Sequence, residues 1–324
     1  MRLLQYINER KRPPVVPLMG YPGAALTGTT IKQNAFNHEI HFRSLQALYD
    51  TFSPDGLFFF MDLSVEAGAL GLQVQYPLME SPIVENHPVT SREELQKLQD
   101  IDILADCRVV SNLETMKLMK KELPCLKGAY VTGPYTLASL LCGASEAAML
   151  TMDDPELLHA VCDLCTKVVA CYAKALEDAG ADTIMVLEPS AVMLSPQQFT
   201  EFSGNYVRTL DGSYTVESIL HICGDTAHLL AGMAATGVAG FSLDYAVDLT
   251  AAAAAFGEGQ FVMGNLDPVG VLRDGSPENI RSMAEGLMAS MQGKGNFILS
   301  SGCDIPHDAP AENIRSFMEA ARPA

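Results

Sequence analysis

His221 and Cys223 stand one residue apart in "SILHICGDTAHLL" (218–230), at the end of an apolar run and just before Gly224. Side chains two apart on a strand share a face, so both would project to the same side. A third donor, Cys303, ends another apolar run in "ILSSGCD". One imidazole and two thiolates form a soft donor set that suits Zn²⁺. Three protein ligands leave a fourth position open for substrate or solvent, as in a catalytic zinc, whereas a structural zinc closes with four. An H-x-C pair is also an ordinary way to pack a small buried thiol, so the elements that carry the three residues decide between the readings.

Short β-rich runs ending in Gly, Asp or Asn recur at 14–20, 55–62, 127–133, 181–188, 217–223, 238–244, 259–265 and 296–302. Helical patterns lie between them. "SREELQKLQ" follows Thr90, and "DDPELLHAVCDLCTKVVACYAKALEDAG" opens with Asp-Pro and closes with Gly. "SPQQFTEFSGNYV" and "SPENIRSMAEGLMASM" open with Ser-Pro, an N-cap followed by a first-turn proline. The alternation predicts an α/β fold, a single (β/α)₈ TIM barrel over 1–324 with long excursions after strands one and two. A doubly wound sheet is the alternative, but no Gly-rich phosphate fingerprint follows the first run. In a barrel the C-terminal strand ends carry the site, and here they hold Tyr21, Asp62, Glu188, His221, Cys223, Asp244, Asn265 and Cys303.

Lys and Arg number 21 against 39 Asp and Glu, a formal net charge of −18. Such a surface repels phosphate backbones and anionic membranes, so neither nucleic acid nor membrane is an expected partner. The start "MRLLQYINERKRPP" is too charged for a signal peptide, and no apolar run reaches the length of about 18 residues a membrane span needs, so a cytoplasmic protein is expected. Among the eight Cys, Cys162, Cys165 and Cys171 fall on one helical pattern and read as core. His38 and His41 read as a polar helix face near the barrel mouth, His228 as structural, and His307 as a loop residue near the proposed metal.

The segments "MDLSVEAGALG" (61–71), "GPYTL" (133–137), "EPSAVMLSPQQFTEF" (188–202), "HICGDT" (221–226), "GNLDP" (264–268) and "LSSGCDIPHDAPAENI" (299–314) together resemble the uroporphyrinogen decarboxylase superfamily. They are most similar to its zinc-dependent corrinoid methyltransferases, which include methylcobalamin:coenzyme M methyltransferases and the methyltransferase components of O-demethylases. The resemblance implies zinc on His221, Cys223 and Cys303, and cobalamin carried by a separate corrinoid protein, since no Asp-x-His-x-x-Gly loop occurs here. It implies methyl transfer between that cobalamin and a small molecule, either a methyl aryl ether or a thiol such as coenzyme M. Decarboxylases of the superfamily carry an Arg-rich loop after the first strand, where this chain reads "GYPGAALTGTT". A tetrapyrrole decarboxylase and a non-catalytic zinc barrel are the competing readings.

Within that frame Glu188 is expected as fourth ligand or proton acceptor. Asp62 and Asp244 are expected as catalytic carboxylates, accepting from the metal-bound His or touching substrate. Tyr21, Glu66, Tyr135 and Asn265 are expected to bind substrate. No Arg or Lys sits in the strand-end segments to hold a sulfonate, which inclines the reading toward a methyl ether.

Overall fold

Three prolines govern how the chain enters its sheet. Residues 14–16 run extended, with Val16 N–H donating to Leu299 O and Leu299 N–H to Pro14 O, both at 2.9 Å. Pro13, Pro14 and Pro17 lack the N–H that a continuing ladder requires, and Leu18 N–H turns instead to Ser301 Oγ at 3.1 Å. The expected first strand is therefore one isolated bridge, Val15 to Leu299. This computed structural model describes residues 3–10, 12–257, 259–294 and 296–321.

The remaining seven expected strands are present. In chain order the strands are β1 (Gly56–Phe58), β2 (Val74–Gln75), β3 (Ile83–Val84), β4 (Leu126–Thr132), β5 (Thr183–Leu187), β6 (Glu217–Ile222), β7 (Gly240–Leu243), β8 (Phe261–Leu266) and β9 (Asn296–Ser301). A seven-stranded parallel sheet has the order β1-β4-β5-β6-β7-β8-β9, and β2 and β3 pair antiparallel beside it. The segment 14–16 bonds to β9 on one side, and on the other Val15 O accepts from Asp55 N–H, just ahead of β1, at 3.0 Å. Strands β5 and β7 are buried along their whole length, as expected of parallel strands covered on both faces.

The helix start motifs act as caps. Ser91 accepts from Glu94 N–H, Asp154 from Leu157 N–H and Ser276 from Asn279 N–H, while Ser195 and Gln198 form a reciprocal capping box. In the helix Pro155–Ala179, Cys162 and Cys165 are buried but Cys171 is exposed. At about 100° per residue, nine residues turn Cys171 to the side opposite Cys162, so the expected core triplet is a pair. His41, on the helix His38–Phe52, is also not on a polar face. It is buried against Phe59 and Phe60, and its Nε2 accepts from Phe60 N–H at 3.1 Å. Among the described residues no helix is long and apolar enough to cross a membrane.

Candidate metal centre

Strand β6 ends at Ile222 and places His221 and Cys223 on one side of the sheet's C-terminal end. Gly224, with φ of +85°, then turns the chain away. Cys303 arrives two residues beyond β9, through Gly302, where a Cβ would stand 2.6 Å from Tyr245 N. His221 Nε2 lies 3.1 Å from Cys223 Sγ and 3.8 Å from Cys303 Sγ, and the two sulfurs are 3.4 Å apart. Ordinary Zn–N and Zn–S bonds in a tetrahedron put such donors about 3.6 Å (N to S) and about 3.8 Å (S to S) apart. The three atoms thus form one triangular face of a zinc-sized tetrahedron, and no other His, Cys or carboxylate among the described residues joins them.

Sheet register fixes the imidazole. His221 on β6 stands beside Ser242 on β7, and its Nδ1 lies 3.0 Å from Ser242 Oγ. With Nε2 facing the thiols, Nδ1 carries the proton and donates it to the hydroxyl, a tautomer assigned from these contacts. The hydrogen bond with Cys303 pulls the Cys223 thiol below its ordinary pKa, and the same bond together with burial pushes Cys303 up. A divalent ion bound there would displace the protons that the thiols hold.

Cys303 opens onto a cavity of about 510 Å³ whose wall is mainly apolar, with Ile31, Met61, Leu63 and Met79. Tyr21 lines it, its hydroxyl held by Met61 O and Ser81 Oγ. His307 lines it too.

The other expected site residues do not line this cavity, although Asp244 stands close enough to Cys223 for its charge to act on that thiol. Glu188 is fully buried, and its carboxylate accepts from Tyr135 N–H (2.9 Å), Thr136 N–H (2.7 Å) and Ser203 Oγ (3.2 Å). It caps the helix Pro134–Cys142, whose own N-cap residue, Gly133, has no side chain to do so. Tyr135 is buried in that first turn and does not line the cavity. Glu66 is buried as well, accepting from Thr132 N–H and Oγ1, both at 2.8 Å, and burial pushes its carboxyl up to about 7. Asp244 Oδ1 accepts from Ala246 N–H at 3.0 Å, closing its own turn, so the acceptor for His221 is Ser242 instead. Asn265 Nδ2 donates to Asp244 O and Val247 O and pins that loop. Asp62 accepts from Ser64 and pairs with the buried Arg108, which also bonds Ser64 Oγ and Tyr76 Oη.

Arg108, Ser242, Asp304 and Arg273 were not expected. Ser242 was findable, since it sits on a predicted strand next to the one bearing His221. Asp304 follows Cys303 directly and shares its cavity. Arg108 and Arg273 come from outside the strand-end segments, and no local pattern marks them.

The model of the uroporphyrinogen decarboxylase (URO-D) family matches residues 2–323. The chain belongs to this family. Within it, the methylcobamide:CoM methyltransferase MtbA of Methanosarcina acetivorans is 31% identical over 271 residues, covering 81% of this chain and 77% of the relative. A uroporphyrinogen decarboxylase of Prochlorococcus marinus is 27% identical over 305 residues, covering 90% and 86%. A solved methyltransferase from Methanosarcina mazei superposes with a TM-score of 0.91 over 99% of this chain and 97% of its own, and at 23% identity that likeness speaks to the fold. Family membership therefore spans two chemistries, and the side chains present must distinguish them. The stretch after the first extended segment folds as the helix Pro22–Thr27 with no Arg or Lys from 20 to 30, while a His and two thiols converge at the sheet's end.

Proposed function

We propose that this protein transfers a methyl group between a small thiol and the cobalt of a corrinoid carried by a separate protein, with Zn²⁺ held by His221, Cys223 and Cys303. The observation that carries the reading is the convergence of three soft donors within 4.8 Å of one another, one of which, Cys303, lines a mainly apolar cavity. A zinc ion bound there supplies Lewis acidity, lowering the pKa of a substrate thiol so that it is a nucleophile near neutral pH. Ser242 holds the His221 ring in the tautomer that offers Nε2. The side chains of Met61, Leu63 and Met79 give the open side an apolar wall with room for a methyl group. In the balanced reaction the thiol loses its proton to solvent and forms a sulfur–carbon bond. The cobalt–carbon bond breaks with its electron pair retained on cobalt, which leaves Co(I).

The thiol direction is supported by the M. acetivorans relative, a methylcobamide:CoM methyltransferase. The apolar wall favours a methyl ether, demethylated onto Co(I), as the second substrate class. A decarboxylase reading lacks cations in the stretch after the first extended segment, 20–30, to receive several carboxylates. We further read the sheet as a closed (β/α)₈ barrel in a single domain, 14–16 being the eighth member between β9 and β1, in a cytoplasmic enzyme.

The test mixes zinc-loaded protein with free methylcobalamin and a thiol and follows the cobalamin spectrum. Loss of the methylcobalamin bands with stoichiometric thioether is expected. No thioether from any thiol, and no methyl loss from aryl methyl ethers with cob(I)alamin, would overturn the reading.

A further inference from the structure

Besides Cys303 and Tyr21, the ionisable side chains lining the cavity are Glu80, Arg273, Asp304, His307 and Asp308. The guanidinium of Arg273 is committed: its Nε and Nη2 donate to the two carboxylate oxygens of Asp274 at 2.8 and 3.0 Å. Arg108, in the small recess behind Tyr21, is committed to Asp62 in turn. An anionic head group entering the cavity would therefore meet the carboxylates of Glu80 and Asp308, while Arg273, the guanidinium on its wall, is already shared with Asp274.

Asp304 adds an independent observation. Its carboxyl group is buried at the cavity with no side-chain partner and no hydrogen bond of ordinary geometry on either oxygen; only the backbone N–H groups of Gly20 and Ile305 approach it. The next N–H in the chain, that of Ile305, donates to Leu18 O at 2.7 Å. Buried carboxyl groups are rarely left unpaired, and a ligand that supplies the missing donor relieves the cost.

Resting on the methyl-transfer reading above, we propose that the thiol substrate is a short molecule whose far end is uncharged or cationic, not anionic, and offers a hydrogen-bond donor to Asp304. The substrate class would then differ from that of the M. acetivorans relative, whose name specifies CoM, a sulfonate. Positive or neutral heads match the Glu80 and Asp308 side of the cavity, and the apolar remainder receives a short carbon stem.

Three two-carbon thiols separate the cases: 2-mercaptoethanol, 2-aminoethanethiol and 2-mercaptoethanesulfonate. Their binding to the zinc-loaded protein is measured by calorimetry, and their methylation by free methylcobalamin in parallel. The hydroxyl and amino thiols should bind at least about tenfold more tightly than the sulfonate, a difference of about 1.4 kcal/mol. Asp304→Asn should remove most of the preference for the amine with zinc content unchanged. Asp274→Ala, on the surface, should free Arg273 and tighten sulfonate binding several-fold. Equal or tighter binding of the sulfonate by the unaltered protein would overturn the proposal. Binding in the expected order without any methylation would leave the substrate class standing and count against methyl transfer itself.

Discussion

A methyl group added to Gly133 would stand 2.2 Å from Cγ of Glu188. The close approach exists because Glu188, at the end of β5, reaches across to cap the helix that Gly133 begins. Gly133→Ala should displace that carboxylate and lower stability by about 2 kcal/mol or more, read by urea unfolding.

Glu188→Gln separates a cap from a ligand. One amide face would present N–H groups to the N–H donors of Tyr135 or Thr136, costing about 1–3 kcal/mol. The melting temperature should fall while the zinc content stays at that of the unaltered protein. Loss of zinc with unchanged melting temperature would make Glu188 a ligand instead.

Much of this site was legible in the sequence, for a reason that also explains what was not. Strand ends are marked by local composition, so His221, Cys223 and Cys303 could be placed at one end of a sheet before any contact was known. The run 14–20 carries the apolar, Gly-ended pattern of a strand, yet the N–H donors missing at its prolines reduce it to a single bridge. The β2–β3 pairing, two residues on each strand, is too short to show a period. Glu188 meets a helix start 53 positions earlier, and Asp62 meets Arg108 across 46 positions. Nothing in the local pattern of either carboxylate tells a helix cap or an ion pair from a catalytic group. The lean against a sulfonate rested on missing cations, and Arg273 does reach the cavity, but Asp274 already holds it.

Glu66 gives the fold a pH dependence of definite sign. Burial raises its carboxyl from 4.5 to about 7, so the folded state holds a proton that the unfolded chain has released in that interval. Its contribution is fully present below pH 4.5 and is lost as pH rises through about 7, by about 3 kcal/mol. Glu66→Gln keeps an acceptor for Thr132 N–H and can donate to Thr132 Oγ1, so it should be more stable than the unaltered protein at pH 8 and similar at pH 4.5. Chemical denaturation at the two pH values checks this.

Asp62→Ala tests whether that carboxylate is structural. It would leave the Arg108 guanidinium buried with only the hydroxyls of Ser64 and Tyr76, at a cost of about 3–5 kcal/mol. The double variant Asp62→Ala with Arg108→Met should recover much of the loss, measured by urea unfolding. No recovery would mean that Asp62 does something other than neutralise Arg108.

Ser242→Ala removes the only hydrogen-bond partner found for His221 Nδ1 among the described residues. Zinc affinity, measured by competition with a chromogenic chelator, should drop by about 10–100-fold with little change in folding. Ser242→Thr, which keeps the hydroxyl, should retain most of the affinity.

The zinc content of the purified protein, set beside that of Cys223→Ala and Cys303→Ala, tests the central claim most directly. About one zinc per chain in the unaltered protein and near none in either variant is the predicted result, since each variant removes one of the three donors. Zinc retained in full by both variants would contradict it.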